Sequence, residues 1–279
     1  MTVKELVLDT AKKFNDAEME SAEFDARQLA AHFLGTEVSQ LLFIKNESVP
    51  ESVEKELSAA VEKRLAGRPL QYIIGSWDFY GLPFFVGDGV LIPRQDTELI
   101  VDLALDFIRK NDVKTVIDLC SGSGCISVAI GKNAPDVQIT AIEKFDTAFG
   151  FTVQNIGHND AYNVKAVQRD LMDGPWGLTA DLIVTNPPYI RSGDISALSK
   201  EVRNEPVTAL DGGKDGLNFY REIARLWVPA INPGGGILAE VGFDQAADVA
   251  EIFEDCGLGE VTVSLDLNGI PRVVSAVNK

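Results

Sequence analysis

The sequence predicts a small bundle of amphipathic helices followed by an α/β domain built on a mostly parallel sheet. Three observations carry this. From Lys114 onward, short apolar runs alternate with stretches of helical periodicity. Residues 1–70 show helical periodicity with start and stop signals. Between these parts, residues 71–92 are aromatic and β-branched, punctuated by Gly75, Gly81 and Gly87, which predicts a β-hairpin linker. The expected division is therefore 1–70, 71–92 and 93–279.

In the helical part, Thr2 and Glu5 have capping-box spacing, and Leu6, Val7, Ala11 and Phe14 recur on one face. A second helix is expected over 22–34, with Phe24, Leu29 and Phe33 apolar and Gly35 as its stop. Ser48 and Glu51 form another capping-box pattern, with Pro50 between them. The helix it opens carries Val53, Leu57, Val61 and Leu65 before Gly67. The runs at 72–74, 77–80 and 82–86 read as β-type, and helical periodicity resumes over 97–109.

Strands are expected at 115–119, 137–142, 164–167, 181–185 and 236–241, and helices at 126–132, 147–156, 217–227 and 245–255. That alternation implies parallel strands covered on both faces. Runs at 260–265 and 272–277, joined by Asn268-Gly269, predict a closing antiparallel pair.

Of the 279 residues, 46% are apolar and 24% charged, proportions of a globular chain. The 25 basic and 42 acidic side chains leave a net charge of −17, unsuited to gripping a phosphate backbone, so no direct nucleic-acid binding is expected. No stretch is long and apolar enough to span a bilayer, and the amino terminus lacks a signal-peptide layout. Cys120, Cys125 and Cys256 show no CxxC spacing, and His32 and His158 are isolated, so neither a disulfide framework nor a metal site is expected. A cytoplasmic, monomeric protein without membrane attachment is the resulting expectation.

The first informative site is the loop Asp118-Leu119-Cys120-Ser121-Gly122-Ser123-Gly124, which follows an apolar strand and opens a helix. Gly122 and Gly124 let the backbone approach a ligand, and Glu143 ends the next strand, where a carboxylate can accept both hydroxyls of an adenosine ribose. A dinucleotide fingerprint would put a third glycine at Ser127, so a dehydrogenase match is incomplete. The carboxylate at Asp118 is the arrangement of enzymes that use S-adenosylmethionine. Cys120 and Cys125, without a neighbouring base or cation in sequence, read as small packing residues.

The second site is stronger. An apolar strand ends in Asn186-Pro187-Pro188-Tyr189, at the sheet edge where α/β folds bind ligands. Two prolines make the turn rigid and bias Asn186 to an extended conformation. The Asn186 side-chain oxygen and the Pro187 carbonyl would then converge on one point, with Tyr189 offering a flat face. Such a pair suits a planar amino group held in line with a reactive methyl.

With these residues assembled, the chain resembles the HemK/PrmC-type glutamine methyltransferases that modify peptide chain release factors. The similarity also covers Arg68-Pro69-Leu70-Gln71-Tyr72-Ile73, Phe79-Tyr80-Gly81-Leu82-Pro83-Phe84, Ile92-Pro93-Arg94 with Thr97-Glu98, Glu205-Pro206, Gly212-Gly213, Asp215-Gly216-Leu217, Glu240-Val241-Gly242 with Gln245, and Asp266, Gly269 and Arg272-Val273-Val274. The resemblance implies a class I, Rossmann-like S-adenosylmethionine-dependent methyltransferase fold with an antiparallel last strand. It also implies methylation of the glutamine in a release factor's Gly-Gly-Gln motif, with the helical part helping to hold that partner. Carried over, Asp118 and Ser121, Gly122, Ser123 and Gly124 would line the cofactor, Glu143 its ribose, and Asp170 and Leu171 its adenine. Asn186, Pro187, Pro188 and Tyr189 would take the substrate amide, with Asn186 also bordering the cofactor. Gln95-Asp96, Glu143 in place of aspartate, and Lys144-Phe145-Asp146 depart from the family pattern beside the adenosine. Two alternatives share the catalytic turn: a glutamine methyltransferase acting on a ribosomal protein, and a DNA or RNA adenine methyltransferase.

Overall fold

A computed structural model describes all residues from Met1 to Lys279, which form two compact units. The first unit comprises residues 1–75 and 199–204. Its helices are α1 (Val3–Asp16), α2 (Ala22–Leu34), α3 (Glu51–Leu65) and the short α4 (Leu70–Ile74). The Thr2–Glu5 capping box forms with both of its hydrogen bonds, and Gly35 closes α2 in a left-handed conformation. Leu6, Phe14, Leu29, Leu57 and Val61 make the core, whereas Phe24 turns to solvent. A buried ion pair ties α2 to α3, with Arg64 Nε donating to Asp25 Oδ2 at 2.7 Å and Nη2 reaching Glu201 at 2.6 Å.

Two local expectations are corrected. Ser48 does not cap α3; its backbone bridges Thr2, and the chain enters the helix through an extended Pro50 that has no side-chain cap. Residues 70–74 are helical rather than extended, because Pro69 starts the turn, burial of Leu70 and Tyr72 outweighs the β-branched pair, and Gly75 ends it with φ +83°.

The second unit begins at Ser76 with the hairpin of β1 (Ser76–Phe79) and β2 (Leu82–Phe85), turned by Tyr80 and Gly81, both at positive φ. Phe79 and Phe84 enter the same core as α5 (Glu98–Lys110), so the hairpin is a packed part of this unit. The strands β3 (Thr115–Leu119), β4 (Gln138–Glu143), β5 (Val164–Gln168), β6 (Ala180–Thr185), β7 (Ile231–Glu240), β8 (Gly259–Leu265) and β9 (Pro271–Val277) form one sheet in the order β5-β4-β3-β6-β7-β9-β8. Strands β3 to β7 run parallel, and β9 lies antiparallel between β7 and β8.

Four helices, α6 (Cys125–Asn133), α7 (Asp146–His158), α8 (Asn218–Leu226) and α9 (Ala246–Asp255), connect the strands. Alternation along β3 divides the core: Val116 faces the cluster with Ile100 and Ile126, and Ile117 and Leu119 face the one with Tyr220, Trp227 and Phe253. The order of connection reverses at β3, with β4 and β5 on one side and β6 on the other. That switch point opens a crevice at the carboxyl ends of β3 and β6, where the glycine loop and the Asn-Pro-Pro-Tyr turn begin. No helix is long and apolar enough to cross a membrane.

Candidate active site

A cavity of about 360 Å³ lies at this switch point, within the second unit. Of the residues expected there, Ser121, Gly122, Ser123, Glu143, Asp170, Leu171, Asn186 and Pro188 line it. Asp118, Gly124, Pro187 and Tyr189 are not among its lining residues.

The glycine loop is held from two sides. Glu143, at the end of β4, accepts Gly122 N–H at 2.9 Å with one oxygen and Phe145 N–H at 2.9 Å with the other. Burial pushes its carboxyl above the usual range, against the pull of those donors. From α7, the Thr152 hydroxyl donates to the Gly122 carbonyl at 2.7 Å and Asn155 Nδ2 to the Ser123 carbonyl at 2.9 Å. Both side chains are fully buried, and sequence reasoning missed them. Their signal was a polar stripe, Thr152, Asn155 and Asn159, at helical spacing on a face that packs inward. Gly124 has φ +79°, and a Cβ there would sit 3.1 Å from Thr152 Cγ2, so this turn needs glycine.

Asp118 lies fully buried beneath the loop. Ser127 Oγ donates to its Oδ2 at 2.5 Å, Oδ1 has no partner, and burial pushes its carboxyl up to about 7. Burial also pushes the Cys120 thiol well up and the Cys125 thiol up to about 12, so neither is a thiolate nucleophile. At the other end of the cavity Asp170 Oδ2 pairs with Lys144 at 2.7 Å while Oδ1 accepts Met172 N–H. Partial burial raises its carboxyl, but these partners outweigh it and hold it below the usual range.

The Asn-Pro-Pro-Tyr turn is clamped on its far side. Ile190 N–H donates to the Leu210 carbonyl at 2.9 Å, Gly212 N–H to the Ile190 carbonyl at 2.8 Å, and Gln245 Nε2 to the Tyr189 carbonyl at 2.9 Å. A Cβ on Gly212 would stand 2.7 Å from Tyr189 Cα and 2.8 Å from the Pro188 carbonyl, so backbone touches backbone there. Burial pushes the Tyr189 phenol up to about 12 and keeps it protonated. Asn186, which lines the cavity, donates from Nδ2 to Thr97 Oγ1 at 3.2 Å, and neither its Oδ1 nor the Pro187 carbonyl accepts a hydrogen bond within the protein. At the rim, buried Glu205 pairs with Arg94 and accepts Ile92 N–H at 3.0 Å, joining two of the cavity-lining segments.

Known proteins similar to this chain cover both of its units. The family model described as PrmC N-terminal domain matches residues 5–75, and the one described as Methyltransferase small domain matches residues 98–213. A release factor glutamine methyltransferase of Thermodesulfovibrio yellowstonii is 38% identical over 253 residues, covering 90% of each chain. Its counterpart in Clostridium botulinum is 35% identical across 99% of each chain. Among solved structures, a methyltransferase from Pyrococcus furiosus superposes with a TM-score of 0.52 at 16% identity, over 72% of this chain and 90% of that one, a likeness of fold alone. On its sequence relationships the chain belongs to the release factor glutamine methyltransferase family.

Proposed function

We propose that this enzyme transfers the methyl group of S-adenosylmethionine to the side-chain amide nitrogen of the glutamine in the Gly-Gly-Gln motif of peptide chain release factors. The observation that carries the reading is the pair of uncommitted acceptors, Asn186 Oδ1 and the adjoining Pro187 carbonyl, on the turn whose Asn186 and Pro188 line the same crevice as the glycine loop. Membership of the family supports the same substrate.

The residues present fit the cofactor. The Glu143 oxygens accept the Gly122 and Phe145 N–H groups, with the Lys144 N–H beside them, and as a carboxylate with about four acceptor sites it can still take ribose hydroxyls. Ser121 to Gly124 would follow the cofactor's amino acid part, with the unpartnered Asp118 Oδ1 as an acceptor beneath. Asp170 and Leu171 would border the adenine. The cofactor supplies an electrophilic methyl on a sulfonium, which departs as a neutral thioether.

Asn186 Oδ1 and the Pro187 carbonyl would take the two N–H bonds of the substrate amide and hold its nitrogen in line with that methyl. As the N–C bond forms, positive charge grows on nitrogen, and the same oxygens stabilise it. A proton leaves the nitrogen afterwards, so the site needs no strong base. The helical unit of residues 1–70 would help hold the protein partner, met by a monomeric enzyme in the cytoplasm.

Asn186→Ala tests this reading. Turnover on a release factor should fall about 10²–10³-fold, the scale of losing one preorganised partner of a developing charge. S-adenosylmethionine affinity should stay within a few-fold, and near-normal turnover would remove Asn186 from the mechanism.

A further inference from the structure

Behind the turn, at the end of β7, lies a buried carboxylate that the proposed chemistry does not use. Glu240 is 1% exposed, and its Oε2 has no hydrogen-bond partner. Its backbone is fixed opposite Val273 of β9, and its carbonyl accepts the Tyr220 hydroxyl at 2.7 Å. Thr185 and Ala239 are register partners on neighbouring parallel strands, so Glu240 stands beside Asn186, and the Thr97 and Asn186 side chains both favour its charged form. Asn186 Nδ2 also donates to Thr97 Oγ1 at 3.2 Å, and Thr97 is itself buried.

An asparagine side chain can present either its oxygen or its NH₂ to a ligand. We infer that Glu240 is a positioning residue that fixes the Asn186 amide with Oδ1 toward the cavity. An ionised carboxylate only accepts hydrogen bonds. In the inferred arrangement the single Thr97 hydroxyl proton goes to Glu240, which leaves Thr97 Oγ1 as the acceptor that Asn186 Nδ2 meets. That oxygen and the carboxylate take the two Asn186 N–H bonds, so Oδ1 faces the other way. Donation of both hydrogens also enriches Oδ1 in negative charge. Once Glu240 is protonated it can donate to Thr97, the hydroxyl proton is released toward Asn186, and the amide can turn its NH₂ to the cavity, against the N–H bonds of the substrate.

Glu240 is placed to switch near neutrality. Burial pushes its carboxyl up to about 7, opposed by the neighbouring Thr97 hydroxyl and the Arg272 charge. The groups facing it are Arg272 on β9, Asp96 and Thr97 before α5, Asn186 and Tyr189 on the turn, Tyr220 on α8 and Cys125 on α6. Arg272 is held by Asp96 at 3.1 Å and Asp266 at 3.2 Å, and its buried Nε has no partner.

The inference rests on Asn186 as the acceptor of the substrate amide, and the test separates the two. With full-length enzyme, saturating cofactor and saturating release factor, kcat should rise with pH through about 7, standing about tenfold below its plateau near pH 6. Glu240→Gln should lower plateau kcat about 10–100-fold and abolish the acid limb, with cofactor Kd within about twofold. Arg272→Gln should move the limb to higher pH, because the cation that favours ionised Glu240 is gone. Asp118 titrates in the same range but answers to Ser127 and Glu143 rather than Arg272, so this shift belongs to Glu240. Thr97→Val should lose turnover that Thr97→Ser restores, an arm that decides the matter even if Glu240→Gln fails to fold. An acid limb surviving in Glu240→Gln, a limb unmoved in Arg272→Gln, or full turnover in Thr97→Val overturns the inference. Full activity of Asn186→Ala would instead overturn the reading of the site beneath it.

Discussion

Replacing Glu143 by alanine removes one buried carboxylate that binds the protein's own loop and, in the proposed reading, the ribose. Its two oxygens accept Gly122 N–H and Phe145 N–H, each at 2.9 Å, and the residue is 6% exposed. Each hydrogen bond from a ribose hydroxyl to a charged acceptor contributes about 1.5–3 kcal/mol. Losing two, with partial replacement by water, should weaken S-adenosylmethionine binding about 10²–10³-fold. The two orphaned N–H groups should also lower folding stability by about 2–4 kcal/mol. Glu143→Gln should be nearly as damaging, because both oxygens face donors and the new NH₂ must oppose one of them in either orientation. Calorimetric titration with S-adenosylmethionine and with its 2′-deoxy analogue is the assay. The parent should discriminate between them and Glu143→Ala should not, which isolates the contact as a coupling. Unchanged affinity, or undiminished discrimination in the variant, would refute the assignment.

Three further outcomes are expected. Gly212→Ala places a methyl 2.7 Å from Tyr189 Cα, so steady-state kinetics should show kcat down by about 10²-fold with cofactor Kd little changed. Arg64→Leu leaves Asp25 buried without its cation, at a cost of about 3–5 kcal/mol to the helical unit, read by chemical denaturation, and Asp25→Leu added to it should recover part of the loss. Asp118 has a folded pKa of about 7 against an ordinary 3.8, so the folded state binds its proton more tightly than the unfolded state. Its contribution to stability is complete below about pH 4 and disappears as pH rises through about 7. Asp118→Asn should therefore melt several degrees higher than the parent near pH 8, and equal melting temperatures there would contradict the sign.

The parallel sheet and both site motifs were legible because their signals are local. The strand before Asp118 and the strand before Asn186 are continuous apolar runs, and each ends in a turn whose residue types have few other uses. The helix at 70–74 was not legible, since a Tyr-Ile-Ile run favours a strand until the burial of Leu70 and Tyr72 is known. Thr97 and Glu240 fall in the segments that carry the resemblance, but what they and Thr152 support was hidden for a related reason. Thr97 lies 89 residues from Asn186, Thr152 lies 30 from Gly122, and Glu240 owes its burial partly to β9 running beside β7. In sequence each is an ordinary polar residue on a helix or at a strand end. Only tertiary contact makes them part of the machinery.

The most direct test of the account is transfer of labelled methyl from S-adenosylmethionine to a purified release factor, run beside its Gly-Gly-Ala variant. The account predicts label on the parent factor, stable to mild base and released as methylamine on hot-acid hydrolysis, and none on the variant. Equal labelling of both factors, or label on neither while S-adenosylmethionine is bound, would contradict it and direct the search to a ribosomal protein or a nucleic acid.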